Sequence, residues 1–174
     1  MAALAMGWAV AGKPIEKSAL FRQVAILTAI GVAPDLDLLI YRHSMETHSI
    51  GAAVIVASLA AWQRWPVAGS RTMIWIAVAL AWLSHPLIDA FGSDTSVPVG
   101  IMAFWPFSRE HVQTPLHLFA AISRRYWRND FWSLNLPAVL REVVVLAPVL
   151  GVVALFARKQ PTGSSSMSHT APGP

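Results

Sequence analysis

The sequence contains no cysteine and few charged side chains. Only 13% of its 174 residues are charged and 55% are hydrophobic, whereas about a quarter of the residues of an average soluble domain are charged. The absence of cysteine excludes disulfides and thiolate metal sites. The scarcity of charge, with eight tryptophans, several beside apolar runs as in an interfacial aromatic belt, predicts an integral membrane protein.

The sequence also lacks a dense cluster of positively charged residues. The net charge is only +4, and no basic stripe interleaved with aromatic residues is present, so nucleic acid is not an expected partner. Basic residues beside apolar runs instead indicate contact with membrane lipids. We expect one membrane-embedded domain over residues 1–160. Residues 161–174 are rich in Ser, Pro, Gly and Thr, which predicts a disordered tail.

The apolar runs predict an all-α, polytopic membrane helix bundle of about four to five helices. A spanning helix needs about 20 mostly apolar residues, with a lower limit near 17, so Met1 to Gly12 is expected to be a partial span. In the long connection, Thr114–Trp132 mixes apolar and basic residues. This mixture is typical of an amphipathic helix that lies on the membrane surface or caps the bundle. The expected spans are Ser18–Ile40, Ser49–Trp65, Thr72–Phe91 and Leu134–Ala157.

Three polar clusters interrupt the apolar runs. Ionisable groups at such positions are costly unless they are paired or bound to a cation, so they are functional candidates. If the first three long runs each cross the membrane once, all three clusters fall on the same side. The clusters are Pro34–Asp37, His43–Ser49 and Ser84–Asp89.

The first and third clusters contain side chains that bind divalent metals. His85 and Asp89 are four residues apart, which places them on one face of a helix. The alternative is a buried His–Asp pair that joins two helices. Asp35 and Asp37 are two residues apart, and carboxylates this close repel each other unless a cation lies between them or one is protonated. The alternative is a helix-terminating turn with both carboxylates in water.

The second cluster adds two histidines and several polar neighbours. We place His43 in a loop and His48 in the first turn of the next helix, capped by Thr47. Thr47 and Ser49 are expected to orient an imidazole by hydrogen bonding. Glu46 is a candidate proton acceptor, with a solvated loop glutamate as the alternative.

In this order, the motifs resemble those of the membrane-bound metal-dependent hydrolase family, of the YdjM-like type, whose best-known bacterial members are LexA-regulated inner-membrane proteins. The similarity extends from Pro34 to Ser108 through PDLD, HSMETHS, SHPLID, Val99-Gly100 and FWPFS. Two features depart from the family pattern. Ser44-Met45 replaces the usual Arg-Gly, and Met1–Gly12 lacks the histidine that family members tend to carry near the N-terminus.

The resemblance implies a hydrolase of the inner membrane that depends on a divalent metal. We expect one or two ions, zinc or alternatively manganese, which would activate water and polarise the substrate. Glu46 and His111 are the catalytic candidates, and Arg42 and Arg109 are candidates for holding a phosphate. A site at the lipid boundary indicates an amphiphilic phosphoester or ester as substrate. The expected metal ligands are Asp35, Asp37, His43, His48, His85 and Asp89, with Thr47 and Ser49 in support.

Two other functions use the same residues. A small transporter, or another metal- or proton-handling membrane protein, would relay ions through the aspartates and histidines of the three polar clusters, but such a path is expected through the middle of the membrane. A scaffold protein with buried polar pairs would need no metal. Basic residues fall on both sides of the membrane in this topology, but the positive-inside rule weights short loops, so the side opposite the clusters is expected to be cytoplasmic. The basic residues on the side opposite the clusters are Lys13, Lys17, Arg22, Arg64, Arg71, Arg158 and Lys159, and those on the side of the clusters or near it are Arg42, Arg109, Arg124, Arg125, Arg128 and Arg141.

Overall fold

A computed structural model describes residues 1–40, 44–93, 98–123 and 127–160. The architecture is the all-α helix bundle expected from the sequence. The described residues contain two 3₁₀ segments, Ala33–Ile40 and Glu46–His48, and two short parallel strands, β1 (Lys13–Pro14) and β2 (Lys159–Gln160). The expected disordered tail, 161–174, lies outside the described residues. The helices are α1 (Ala2–Ala11), α2 (Lys17–Val32), α3 (Ile50–Trp62), α4 (Arg71–Ala90) and α5 (Phe131–Phe156).

Local sequence signals explain where the first two helices begin and end. Helix α1 ends at Gly12, whose φ of 75° suits a residue without a Cβ. The Glu16 carboxylate caps α2 by accepting hydrogen bonds from the amides of Ser18 and Ala19. Pro34 has no amide hydrogen to donate, and its ring disfavours a continuing α-helix. Helix α2 therefore passes into the 3₁₀ segment at Ala33.

Serine side chains begin the next two helices. Ser49 Oγ accepts a hydrogen bond from the Ala52 amide at 3.0 Å, and Ser70 Oγ accepts one from Met73 at 3.2 Å. Both are N-caps, which satisfy amides that a helix start leaves unpaired. The Ser49 cap places His48 immediately before α3.

Helix α4 packs against α1, α2 and α3, and α5 packs against α1. Small residues allow close approach between the helices, as in other membrane bundles. Ala53, Ala57 and Ala60 of α3 are fully buried. A Cβ on Gly31 would lie 2.5 Å from the Ala3 Cβ, so α1 and α2 touch at this glycine.

Within the described residues, three helices are long and apolar enough to cross a membrane: Lys17–Leu39, which includes α2 and most of the first 3₁₀ segment, α4 (Arg71–Ala90) and α5 (Phe131–Phe156). The expected span Ser49–Trp65 is shorter in the structure. Helix α3 has 13 residues and is about 20 Å long, which is less than the roughly 30 Å of a hydrocarbon core.

The connection before α5 differs from the prediction. Residues 114–123 do not form the expected amphipathic helix. The Thr114 amide instead donates to the Ala90 carbonyl at 3.1 Å, and the Leu118 amide donates to the Phe91 carbonyl at 2.8 Å. Carbonyl groups at a helix end lack intrahelical partners, so the end of α4 binds this segment in a non-helical conformation.

The bundle has two distinct ends because its helices alternate in direction. Helices α2 and α4 end where α1, α3 and α5 begin, as shown by the contacts of Ala3 with Gly31 and of Trp82 with Thr47. At the opposite end β1 pairs with β2. There the buried Gln23 side chain bonds to the Trp8 indole and to two backbone carbonyls.

Candidate functional site

Four ligand-type side chains from three helix ends meet at one end of the bundle. Asp35 comes from the 3₁₀ segment after α2, His48 from the turn before α3, and His85 and Asp89 from the last two turns of α4. Asp35 Oδ1 lies 3.6 Å from His48 Nε2 and 3.4 Å from His85 Nε2. Asp89 Oδ2 lies 3.3 Å and 3.4 Å from the same two nitrogens. We call these four residues the Asp/His cluster.

A backbone carbonyl determines the tautomer of His85. The His85 Nδ1 atom lies 2.8 Å from the Gly31 oxygen. A carbonyl can only accept a hydrogen bond, so Nδ1 carries the proton. In the neutral ring the Nε2 lone pair is then directed into the Asp/His cluster, as in a metal-binding histidine.

Asp37 and Thr47 orient His48 through Nδ1, the ring nitrogen that faces away from the Asp/His cluster. Its ring is fully buried, and Nδ1 lies 3.3 Å from Asp37 Oδ2 and 3.1 Å from Thr47 Oγ1. The Thr47 hydroxyl donates to the same Asp37 oxygen at 2.9 Å. A carboxylate that orients the second nitrogen of a histidine is common around metal ligands. The structure therefore places Asp37 behind His48, outside the group of four ligand atoms.

The charges of the cluster attract a cation. Burial alone would lower the pKa of His48, but its contacts with Asp35 and Asp89 outweigh burial and raise that pKa above its ordinary value. Carboxylates close to an imidazole favour its charged form. A proton or a metal ion would neutralise the same carboxylates.

The separations fit a metal site better than a hydrogen-bonded one. Charge-assisted N–H···O hydrogen bonds are usually about 2.7–2.9 Å long, whereas the four cluster contacts measure 3.3–3.6 Å. Ligand atoms about 2.0–2.2 Å from a tetrahedral zinc lie roughly 3.3–3.6 Å apart, and the ligand atoms of Asp35, His48 and His85 all lie within 4.8 Å of one another. Asp89 Oδ2 is close to both imidazole nitrogens but is not part of this group of three among the described residues. Asp89 Oδ2 is also buried and makes no hydrogen bond to any described residue. The donor set of two imidazoles and two carboxylates suits zinc or manganese.

The remaining predicted site residues lie around this cluster or away from it. Glu46 begins the 3₁₀ turn that ends at His48, and Ser49 serves as the N-cap of α3. His111 Nε2 is buried without a hydrogen bond to the described residues, and His111 is not part of the ligand group found among them. Arg109 is exposed. Arg42 and His43 lie outside the described residues.

Backbone groups and one tryptophan complete the site, and the sequence motifs did not indicate them. The Gly31 carbonyl orients His85, and the Trp82 indole donates to the Thr47 carbonyl at 2.8 Å. The segment after Gly100 packs on the start of α3, because Ile50 and Gly51 donate their amides to carbonyls of residues 103 and 105. A Cβ on Gly51 would collide with the Trp105 oxygen, so this close approach requires glycine.

Comparison with known proteins agrees with the membrane architecture. No curated protein and no solved structure matches the chain. The family model described as YdjM inner membrane protein matches residues 1–161. This range includes every described helix and the whole Asp/His cluster. The chain is an inner-membrane protein and belongs to the YdjM inner membrane protein family.

Proposed function

We propose that the protein is a membrane-bound hydrolase whose Asp/His cluster holds one divalent metal ion, zinc or alternatively manganese. The observation that carries this proposal is the convergence of Asp35, His48 and His85, whose ligand atoms all lie within 4.8 Å of one another. Asp89 Oδ2 lies 3.3 Å and 3.4 Å from the two imidazole nitrogens of the same group. A bound ion of this kind supplies Lewis acidity, which lowers the pKa of water and polarises a phosphoryl or carbonyl oxygen.

The protein side chains would prepare the site for that ion. The Gly31 carbonyl keeps the His85 proton on Nδ1, and Asp37 with Thr47 directs His48 Nε2 into the cluster. Asp35 and Asp89 supply negative charge that attracts a cation. Because Asp37 lies behind His48, the described residues support one ion more readily than two.

The surroundings of the cluster support an amphiphilic phosphoester or ester as the substrate. Asp35 lies within the span Lys17–Leu39, and His85 and Asp89 lie within Arg71–Ala90. His85 is five residues before the end of α4 at Ala90, which is about 7.5 Å along the helix axis. A cluster at this depth is within reach of the polar part of a lipid and is poorly placed for a water-soluble molecule.

The basic end of the bundle supports an orientation. Lys13, Lys159 and Arg158 lie together where β1 pairs with β2, opposite the cluster. Arg64 and Arg71 flank the short connection between α3 and α4 at the same end. Since positive residues in short loops favour the cytoplasmic side, we propose that the cluster faces away from the cytoplasm.

Metal analysis of detergent-purified protein tests this function most directly. Protein prepared without chelator is expected to carry about one zinc or manganese ion per chain, because ligands of this kind bind such ions tightly. His85→Ala should lose the ion and any turnover of phosphatidic acid in mixed micelles. The matched control is His117→Ala, since His117 also contacts a backbone carbonyl, that of Gly92, but lies outside the cluster.

Two results would contradict the proposal. The first is wild-type protein that folds without metal and gains no thermal stability from added zinc or manganese. The second is equal turnover of phosphatidic acid and of a water-soluble ester with the same head group, which would remove the reason to place the substrate in the membrane.

A further inference from the structure

A separate apolar cavity of about 160 Å³ lies beside the last turns of α4. Its walls come from α1, α4, α5 and the segment around Phe119. Ala5 and Ser84 form the deepest part, and both are almost completely buried. The Ser84 hydroxyl donates to the Ala81 carbonyl of its own helix, so it offers no free hydrogen to a ligand. The cavity therefore suits an apolar occupant.

The mouth of the cavity opens toward the hydrocarbon of the membrane. Met6, Leu87 and Val149 line it and are 37%, 50% and 51% exposed. Leu87 and Val149 belong to helices that are long and apolar enough to span, so their exposed surfaces face lipid. An apolar cavity of about 150 Å³ stays dry and can bind a group of benzene size, which corresponds to a short stretch of hydrocarbon chain.

The cavity and the Asp/His cluster share one stretch of α4. Ser84 and Ile88 line the cavity, while His85 and Asp89, the residues that follow each of them, belong to the cluster. Neighbouring residues of a helix point about 100° apart. The two sites therefore lie on adjacent faces of α4, separated by no more than the helix diameter of about 10–12 Å.

We propose that this cavity binds one hydrocarbon chain of the lipid-like substrate, so that the polar ester of the same molecule lies at the Asp/His cluster. That the bound chain belongs to the substrate rests on the proposed function. That the cavity binds a hydrocarbon chain is supported by its apolar lining, by its opening toward lipid and by the turns of α4 that it shares with the Asp/His cluster. The chain-binding site would select molecules with a long alkyl or acyl chain.

Two photoreactive lipids test the proposal without depending on turnover. Purified protein is placed in phosphatidylethanolamine–phosphatidylglycerol vesicles that contain a trace of a photoreactive phospholipid with a diazirine, either on an acyl chain close to its ester or in the head group. The acyl-chain probe is expected to label peptides that contain Met6 or Val149. The head-group probe is expected to label the peptide around Asp89.

Filling the cavity should remove both labels. Ala5→Leu adds bulk to its deepest part, and Val149→Phe obstructs its mouth without changing a buried residue. Labelling is expected to fall by at least about fivefold, because each variant would expel several CH₂ groups of the chain from the cavity, and the burial of only two of them corresponds to more than this factor. The matched controls are Ala9→Leu on the exposed face of α1 and Val152→Phe, because Val152 is 56% exposed and does not line the cavity.

Several results would overturn the proposal. Labelling that persists in both filled variants, or is absent from the wild type, would show that the chain does not occupy this cavity. Acyl-chain labelling here with head-group labelling away from Asp89 would indicate a structural lipid instead of a substrate. Metal content measured on the same samples separates the two proposals: a metal-free wild type labelled by both probes would contradict the metal centre alone.

Discussion

The position of Asp37 behind His48 leads to a sharp prediction about metal affinity. Asp37→Asn keeps the size of the side chain and one acceptor oxygen for Thr47, but it removes the negative charge beside His48 Nδ1. Asp89→Asn instead changes a carboxylate that faces both Nε2 atoms. The two substitutions are chemically identical, so their different effects would report the different positions of the two carboxylates.

The expected magnitudes follow from those positions. Loss of a group that orients a metal ligand typically weakens metal affinity by about 10–100-fold, or roughly 1.4–2.8 kcal/mol. Asp37→Asn should fall near the lower limit because an acceptor remains, and Asp37→Ala near the upper limit. Asp89→Asn should exceed this range because it removes the charge of a carboxylate that lies within 3.4 Å of both Nε2 atoms. Competition of metal-stripped protein with a chromogenic zinc chelator in detergent micelles measures each dissociation constant.

A matched control and two outcomes make this test decisive. Asp130→Asn is the same change at a carboxylate that pairs with Arg128, and it should leave zinc affinity unchanged. Equal losses in Asp37→Asn and Asp89→Asn would mean that Asp37 is itself a ligand. Unchanged affinity in both Asp37→Asn and Asp37→Ala would refute the inference that Asp37 orients His48.

Three further predictions concern packing, pH and orientation. Gly31→Ala should destabilise the protein by about 1–3 kcal/mol in detergent unfolding and weaken zinc binding, because its Cβ would lie 2.5 Å from the Ala3 Cβ. Gly151→Ala, another helical glycine, has no neighbour within 4 Å and should cause no loss, so equal losses would contradict the packing argument. The pKa of His48 is raised in the folded protein, so protonation of His48 stabilises the metal-free fold. This stabilisation is complete below pH 6.5, the ordinary pKa of the side chain, and it is lost as the pH rises through the raised pKa. The unfolding temperature of the metal-free protein should therefore decrease as the pH rises above 6.5, while that of the zinc-loaded protein should not. An unfolding temperature of the metal-free protein that does not change with pH would contradict this role of His48. In this cysteine-free chain, a membrane-impermeant thiol reagent applied from outside the cytoplasm should label Glu110→Cys near the cluster end but not Gly69→Cys at the opposite end. The reverse labelling would invert the orientation.

Much of the helical architecture was predictable because it depends on local composition. The long apolar runs predicted α2, α4 and α5, and their lengths agree with membrane spans. Ser49 and Ser70 occupy cap positions next to apolar runs, and Pro34 ends the α-helical part of the first span. These signals act over a few residues, so they can be read from neighbouring positions.

The prediction was wrong in two places. Helix α3 ends at Trp62, short of the expected Trp65, for a local reason, because Arg64 has a φ of 54° and Pro66 follows Trp65. Residues 114–123 have the composition of an amphipathic helix, but their amides bind carbonyls of a distant partner, the end of α4. Propensity is a weak prior, and tertiary contacts override it.

The sequence by itself determined the class of the protein, its family motifs and the residue types able to bind a metal. Its i,i+4 spacing also placed His85 and Asp89 on one helix face. Only the tertiary structure decided how these side chains divide their roles. Asp35 faces both imidazoles while Asp37, two residues later, lies behind one of them, and the Gly31 carbonyl directs His85. The physical reason is that separations of 3.3–3.6 Å between ligand atoms depend on how three helix ends pack, and these ends are separated along the chain by more than the range of any local pattern.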